Sequence, residues 1–198
     1  MKLYYSATSP YVRKVMACAM TRGLEARIQL HPSNPHASPA DLVADNPTSK
    51  VPCLVTDDGI SLYDSPVICE FLDSLGDAPA LFPPAGAARW RALKFQAMGD
   101  GILDAAVPCR GELQKPQEAA RDGQIARFKA AMSRTVDALE HDPPHRHVDI
   151  GSIAVACALG YLDFRFASDP WRPGHPKLAA WFEDFSKNPG LAKTAPKE

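Results

Sequence analysis

The chain is read as an α/β domain, a mixed four-stranded sheet with helices, followed by an all-α domain. Three observations lead there. Residues 1–76 run strand, helix, strand, helix, hairpin, helix. Residues 77–87 are rich in Pro and Ala, with Pro79, Pro83 and Pro84, and read as a linker. Residues 88–198 carry helical periodicity without a strand signal.

Each element has its own signal. Lys2-Leu3-Tyr4-Tyr5 reads as a strand. Ser9-Pro10 opens a helix in which Val12, Val15, Met16, Ala19 and Met20 recur at helical spacing up to Gly23. Ala26 to Leu30 is a second short strand. A Pro-, Ser- and Asn-rich turn over 31–38 leads to another Ser-Pro start, Ser38-Pro39, and a helix ending near Asn46. Cys53 to Thr56 and Ile60 to Tyr63 flank Asp57-Asp58-Gly59, a hairpin signal. Ser65-Pro66 begins a third helix, through Val67, Ile68, Phe71, Leu72 and Leu75 to Gly76. A strand–helix–strand unit joined to a hairpin and a closing helix makes one mixed sheet covered by helices.

Beyond the linker, Ala88 to Leu113 reads as one long helix, kinked or broken near Pro108. Pro116 to about Glu140 is a second, and a Pro- and His-rich turn covers 141–148. Asp149 stands at the N-cap of a helix from Ile150 to Arg165. That helix is apolar almost all round and is expected at the buried centre of this half. Pro176 to Lys187 supplies a final amphipathic helix.

Composition narrows the function. Over 198 residues, 45% are apolar and 23% charged, with a net charge of −1, the balance of a soluble globular protein. Lys and Arg are scattered, and without a clustered basic face no nucleic acid partner is expected. The longest apolar stretch, Ile153 to Leu162, is about half the ~20 residues that a bilayer-spanning helix needs, so no membrane partner is expected. The five cysteines (Cys18, Cys53, Cys69, Cys109 and Cys157) form no CxxC pair and read as reduced, packed thiols. With a strand-like opening in place of a cationic and apolar leader, a cytoplasmic location is expected. His141, His145 and His147 lack a fixed helical spacing and read as solvated, so no metal is expected. Trp90, Trp171 and Trp181 read as packing residues, with a place near the interface between the halves as the alternative for Trp90. Met98, Ile102 and Asp104 fit either a substrate pocket or a helix–helix seam.

The three Ser-Pro helix starts invite a plain reading, since serine at N-cap and proline at the first helical position is an ordinary way to begin a helix. Context separates two of them. Ser9-Pro10 follows the first strand, where a helix N-terminus projects past the strand's carboxyl end and ligands of open sheets gather. Ser65-Pro66 follows a later strand and has Asp64 just before it. Free helical N–H groups attract a carboxylate, and an acid beside them suits an ammonium, the two groups of an amino acid.

The run from Tyr4 to Val15 (YYSATSPYVRKV), then Asn46-Pro47-Thr48-Ser49-Lys50-Val51-Pro52, then Leu62-Tyr63-Asp64-Ser65-Pro66-Val67-Ile68, resemble successive motifs of bacterial cytosolic glutathione S-transferases. The run from Asp149 to Asp163 resembles the central helix of their second domain. The resemblance implies a thioredoxin-like glutathione-binding domain over 1–76 and an all-helical domain over 88–198. It implies that Pro52 is a cis-proline, that the Val51 backbone pairs with the cysteinyl unit, and that Asp64 and Ser65 receive the γ-glutamyl amine and carboxylate. Lys50 stands where relatives place a polar side chain near the glycyl end, although a solvated lysine fits it nearly as well.

Ser9 would be the catalytic residue, its hydroxyl donating to the glutathione sulfur and favouring the thiolate. Lowering a thiol pKa from ~8.5 to ~6.5 needs about 2.7 kcal/mol. A hydrogen bond to a charged acceptor gives roughly 1.5–3 kcal/mol and a helix N-terminus roughly 0.3–2, so no metal or general base is required. Tyr5 and Thr8 are the neighbouring alternatives; Ser9 is favoured because it adjoins Pro10 at the helix start. A cysteine at position 9 would have pointed to disulfide exchange. The resemblance further implies a homodimer, glutathione as co-substrate, and a small hydrophobic electrophile held against the helical half in a detoxifying conjugation. Peroxidase, isomerase and dehalogenase variants use the same site, and a non-catalytic binding module on the same fold is the alternative. One departure stands out: relatives start the central helix with Ser or Thr at N-cap and Asp three residues later, whereas here Asp149 caps and Ser152 is third.

Overall fold

Four strands form the sheet of the first half: β1 (Lys2–Tyr5), β2 (Gln29–Pro32), β3 (Cys53–Val55) and β4 (Ser61–Leu62), in the order β2-β1-β3-β4. β1 runs parallel to β2 and antiparallel to β3, and β3 antiparallel to β4, which is the mixed sheet expected. The coordinates are a computed structural model that describes residues 1–196. The described chain divides into two units, one comprising Met1–Pro84 together with residues 188–196, the other Ala85–Lys187.

In the first unit, side chains alternate across the sheet. Tyr4 and Cys53 pack with Leu42 of α2 (Ala40–Asp45) on one face. Leu3 and Leu54 point to the other, the face covered by α1 (Pro10–Thr21) and α3 (Ser65–Leu75). Leu3, Leu54, Val15, Cys18, Ile68 and Leu72 are all fully buried.

Two sequence expectations shift here. The second strand is Gln29–Pro32 rather than 26–30, because Glu25–Arg27 closes into a short 3-10 turn. The ladder fixes this register: Gln29 N–H donates to the Met1 carbonyl and Ser33 N–H to that of Tyr5, both at 2.9 Å. Pro32 is tolerated because β2 is an edge strand. The Ser-Pro starts also differ from one another. Only Ser9 caps with Pro10 at the first helical position. Ser38 lies in the left-handed region (φ 46°) and Pro39 itself is the N-cap of α2, while Asp64, not Ser65, is the N-cap of α3.

The second unit holds α4 (Gly86–Leu113), α5 (Ala119–His141), α6 (Ile150–Arg165) and α7 (Pro176–Phe185). As expected, α6 is the centre: every residue from Ile150 to Leu162 is buried. It packs on α4 at very short range, since neither Gly99 nor Gly151 presents a side chain at the crossing. α4 runs unbroken through Pro108. Asp104 and Pro108 both lie on an exposed face, where water can replace the amide that Pro108 lacks. Trp171 and Trp181 are buried, but Trp90 is 69% exposed, which corrects its reading as a packing residue.

Residues 188–196 group with the first unit, whereas the sequence reading places them in the helical domain of 88–198. α8 (Pro189–Lys193) packs on α1, with Leu191 buried and its carbonyl accepting from Arg13 Nη2 at 3.3 Å.

Candidate active site

Register brings the predicted residues to one end of the sheet. β1 and β3 pair Tyr4 with Cys53, and β3 and β4 pair Leu54 with Leu62. Continued by one and two residues, these ladders carry Pro52 past Tyr5 on one side and Asp64 on the other. With strands about 4.8 Å apart, the end of β1, the start of β3 and the end of β4 fall within about 10 Å. Ser9, Val51-Pro52 and Asp64-Ser65 are on the segments that leave or enter the sheet there.

Ser9 is half-buried and caps α1: its Oγ accepts from Val12 N–H at 3.3 Å, and its own N–H donates to the Ser6 carbonyl at 3.1 Å. The hydroxyl proton is left for an outside acceptor. The first turn of α1 carries no acidic residue to offset the positive helix end. Tyr5 is half-buried at the end of β1 and Thr8 is exposed; neither caps the helix.

The Val51–Pro52 peptide is cis, as is Tyr63–Asp64. Pro52 is buried and Val51 half-buried. Val51 spends neither its backbone N–H nor its carbonyl on another described residue, leaving an edge that an extended peptide can pair with. Asp64 is exposed and, although it occupies the N-cap of α3, its carboxylate makes no capping hydrogen bond. Ser65 is 1% exposed at the first position of α3, where backbone N–H groups have no intrahelical partner. Lys50 is exposed and forms no ion pair among the described residues.

Behind this end, a polar cluster fastens α2 to the sheet. Asp45 Oδ2 accepts from Tyr4 Oη at 2.7 Å and Lys2 Nζ at 3.1 Å, and its Oδ1 from Ser61 Oγ at 3.2 Å. The Tyr4 hydrogen bond holds the Asp45 carboxyl below the usual range, while burial pushes the Tyr4 phenol up. Burial, with Asp45 nearby, pushes the Cys53 thiol up to about 11. All five cysteines are free and buried.

Sequence reading does not single out Asn46, which proves to organise the loop ahead of Val51. The signal that could have found it is Asn-Pro a few residues before Val-Pro, a turn dipeptide leading into a strand. Of the substrate-pocket candidates, Ile102 is fully buried and belongs to the helix packing. Asp104 lines an open cleft of about 690 Å³ beside Gln124, Arg127 and Phe128 of α5. His145 and His147 stack on each other with centroids 5.1 Å apart. Among the described residues, no group of three or more His, Cys, Asp or Glu is arranged to hold a metal, and no helix is long and apolar enough to cross a membrane.

A mixed four-stranded sheet with a capped helix start, a cis Val-Pro and an acid–serine helix start at one end, followed by a helical unit, defines the class of two-unit proteins with a thioredoxin-like first half. Residues 8–75 match the family model of the glutathione S-transferase N-terminal domain, and residues 118–184 that of the C-terminal domain. The chain belongs to the bacterial glutathione S-transferase family. It is 32% identical to the uncharacterised GST-like protein YibF of Escherichia coli K12, across 99% of this chain and 98% of that one. Among solved structures, a glutathione transferase family member from Pseudomonas fluorescens Pf-5 with bound glutathione is 40% identical, covers 100% of this chain and 99% of its own, and superposes with a TM-score of 0.93. A glutathione S-transferase from Methylobacillus flagellatus KT, also with glutathione bound, is 31% identical over 99% of both chains with a TM-score of 0.86.

Proposed function

We propose that the chain is a glutathione transferase that ionises glutathione at Ser9 and adds the thiolate to a small hydrophobic electrophile. One observation carries this reading: a serine cap with an uncommitted hydroxyl proton, an unpaired Val51 edge and a free Asp64 carboxylate share one end of the sheet. Ser9 Oγ donates to the thiolate, and the unopposed end of α1 adds its field. The Val51 N–H and carbonyl pair with the cysteinyl unit. The α3 N–H groups and Ser65 take the γ-glutamyl carboxylate, Asp64 takes the ammonium, and Lys50 lies toward the glycyl end. Glutathione bound in two relatives of 40% and 31% identity supports the choice of thiol. No metal enters this scheme. The protein works as a cytoplasmic homodimer in a detoxifying role.

The test is glutathione titration followed by turnover of 1-chloro-2,4-dinitrobenzene, on wild type and Ser9→Ala. Ser9→Ala should raise the pH at which bound glutathione ionises by about one unit or more and slow conjugation at neutral pH. Unchanged thiolate absorbance against pH in the variant removes Ser9 from the mechanism. Tight glutathione binding with no turnover of any electrophile favours a binding module instead.

A further inference from the structure

We infer that Asn46 is the positioning residue that holds the Lys50–Val51 backbone ready for the cysteinyl unit of glutathione. The inference rests on the role proposed above for Val51 and adds the device that sets its geometry.

The segment 46–52 joins α2 to β3 and presents Pro47, Thr48 and Lys50 to solvent. A loop this exposed costs conformational entropy when a ligand orders it, unless something has ordered it beforehand. Asn46 is 1% exposed and does that from inside. Its Nδ2 donates to the Lys50 carbonyl at 2.9 Å. Its Oδ1 accepts from Thr48 N–H at 3.0 Å and Thr48 Oγ1 at 2.8 Å. Its backbone carbonyl accepts from Ser49 N–H at 2.9 Å, and its own N–H donates to the Leu42 carbonyl at 2.7 Å. Thus one residue ties the middle and the far end of the loop to the end of α2.

The anchor is itself held. Asp45, one residue earlier, bonds to Tyr4 of β1 and Ser61 of β4, so α2 cannot slide relative to the strands beside the site. On the outer side, Ser49 sits at φ 52°; its hydroxyl donates to the Pro35 carbonyl at 3.2 Å and accepts from the Ser38 hydroxyl at 3.0 Å. What Asn46 adds is the bond to Lys50, whose carbonyl belongs to the peptide that carries the Val51 N–H. Fixing that carbonyl fixes the plane of the Lys50–Val51 peptide, and so the direction in which the Val51 N–H is offered. A carboxamide is the side chain this task needs, because it accepts from Thr48 and donates to Lys50 at once. A carboxylate of the same shape can only accept, and would set an anionic oxygen against the Lys50 carbonyl.

The experiment compares wild type, Asn46→Asp and Thr48→Val as full-length proteins, by calorimetric titration with glutathione and by steady-state kinetics with 1-chloro-2,4-dinitrobenzene. Asn46→Asp should raise both the glutathione Kd and its KM by about tenfold or more. The kcat at saturating glutathione and the ionisation of the bound thiol should stay within about threefold, since Ser9 is untouched. Thr48→Val removes the hydroxyl bond but leaves Lys50 anchored, and should weaken binding by no more than about threefold. Wild-type affinity in Asn46→Asp, or an equal loss in Thr48→Val, overturns the inference while leaving the transferase reading intact. A wild type that binds no glutathione sinks both. Should Asn46→Asp fail to fold, the wild-type nitrogen-15 spectrum decides: an Asn46 side-chain proton shielded from exchange with and without glutathione supports the anchor, and exchange at the rate of a free amide refutes it.

Discussion

Asp149 and Ser152 cap the start of α6 reciprocally: Ser152 N–H donates to Asp149 Oδ1 at 2.7 Å, and Asp149 N–H donates to Ser152 Oγ at 2.9 Å. Both residues are buried, so neither amide has water as a substitute. The order of acid and hydroxyl found here therefore satisfies both amides at the helix end. Asp149→Ala should cost about 1–2 kcal/mol in urea unfolding, and Ser152→Ala a similar amount. The double variant should lose less than the sum, because each single change already breaks the box. Strict additivity would mean that the two residues act separately.

The order of elements and the burial of α6 were legible because both rest on local periodicity, which residues such as Ile153 and Leu159 carry plainly. Ser9 was legible as a cap for the same reason: Ser-Pro after a strand is a local signal. Its convergence with Val51 and Asp64 was not local. It depends on the ladder that sets Tyr4 opposite Cys53 and Leu54 opposite Leu62, and it entered the reading only through the family resemblance. The shift of β2 to Gln29–Pro32 was missed because parallel register with β1, rather than the alternation in Ala26 to Leu30, decides it. Trp90 departs from the packing expectation because large aromatics usually pack, and nothing in its neighbours marks it as 69% exposed.

Asp73 bears on the whole first unit. Its Oδ1 lies 3.0 Å from Arg22 Nε, with both side chains at most 8% exposed, and its two oxygens also accept from Leu81 and Phe82 N–H at 2.8 and 3.0 Å. The ends of α1 and α3 and the segment leaving α3 thus share one carboxylate. Asp73→Ala leaves a buried guanidinium without its counter-ion, held only by the Asp73 and Gly76 carbonyls, and two amides without an acceptor, and should cost about 3–5 kcal/mol in chemical denaturation. Arg22→Met in the same background should recover part of that loss, since the uncompensated charge is removed. No recovery would show that the amide caps, not the ion pair, carry the effect.

Two glycines in the helical unit should respond to alanine with opposite signs. At Gly151 an added Cβ would lie 2.5 Å from the Ala92 carbonyl oxygen and 2.7 Å from Phe95 Cβ. The nearest obstacle is backbone and cannot swing aside. Gly151→Ala should destabilise by about 1–3 kcal/mol, overriding the ~1 kcal/mol that alanine gains in helix propensity. At Gly101, on α4, the same Cβ meets nothing within 4 Å, so only propensity acts and stability should rise by about 0.5–1 kcal/mol. Thermal melts of the two variants give the comparison; a stabilised Gly151→Ala would mean that α4 and α6 can move apart freely.

His175 links the end of α5 to the start of α7, and it does so best when protonated. Its Nδ1 faces the Trp171 carbonyl at 2.5 Å and its Nε2 faces Asp137 Oδ1 at 2.8 Å. Both neighbours are acceptors, so only the doubly protonated ring donates to each. Burial works against the charge, but the bonds to Asp137 and Trp171, with Glu140 adding to the attraction, outweigh it and raise the pKa. A raised folded pKa has a fixed sign in linkage: the stabilisation is complete below the unfolded value of about 6.5 and disappears as pH climbs through the folded value. The stability of wild type should therefore exceed that of His175→Asn most at acidic pH, with the two curves approaching each other above neutrality. Denaturant midpoints taken in steps of about half a unit, from about pH 5.5 to about 8.5, read this directly. A gap that stays constant or widens with rising pH would mean that His175 is held neutral, with one of its two bonds unmade.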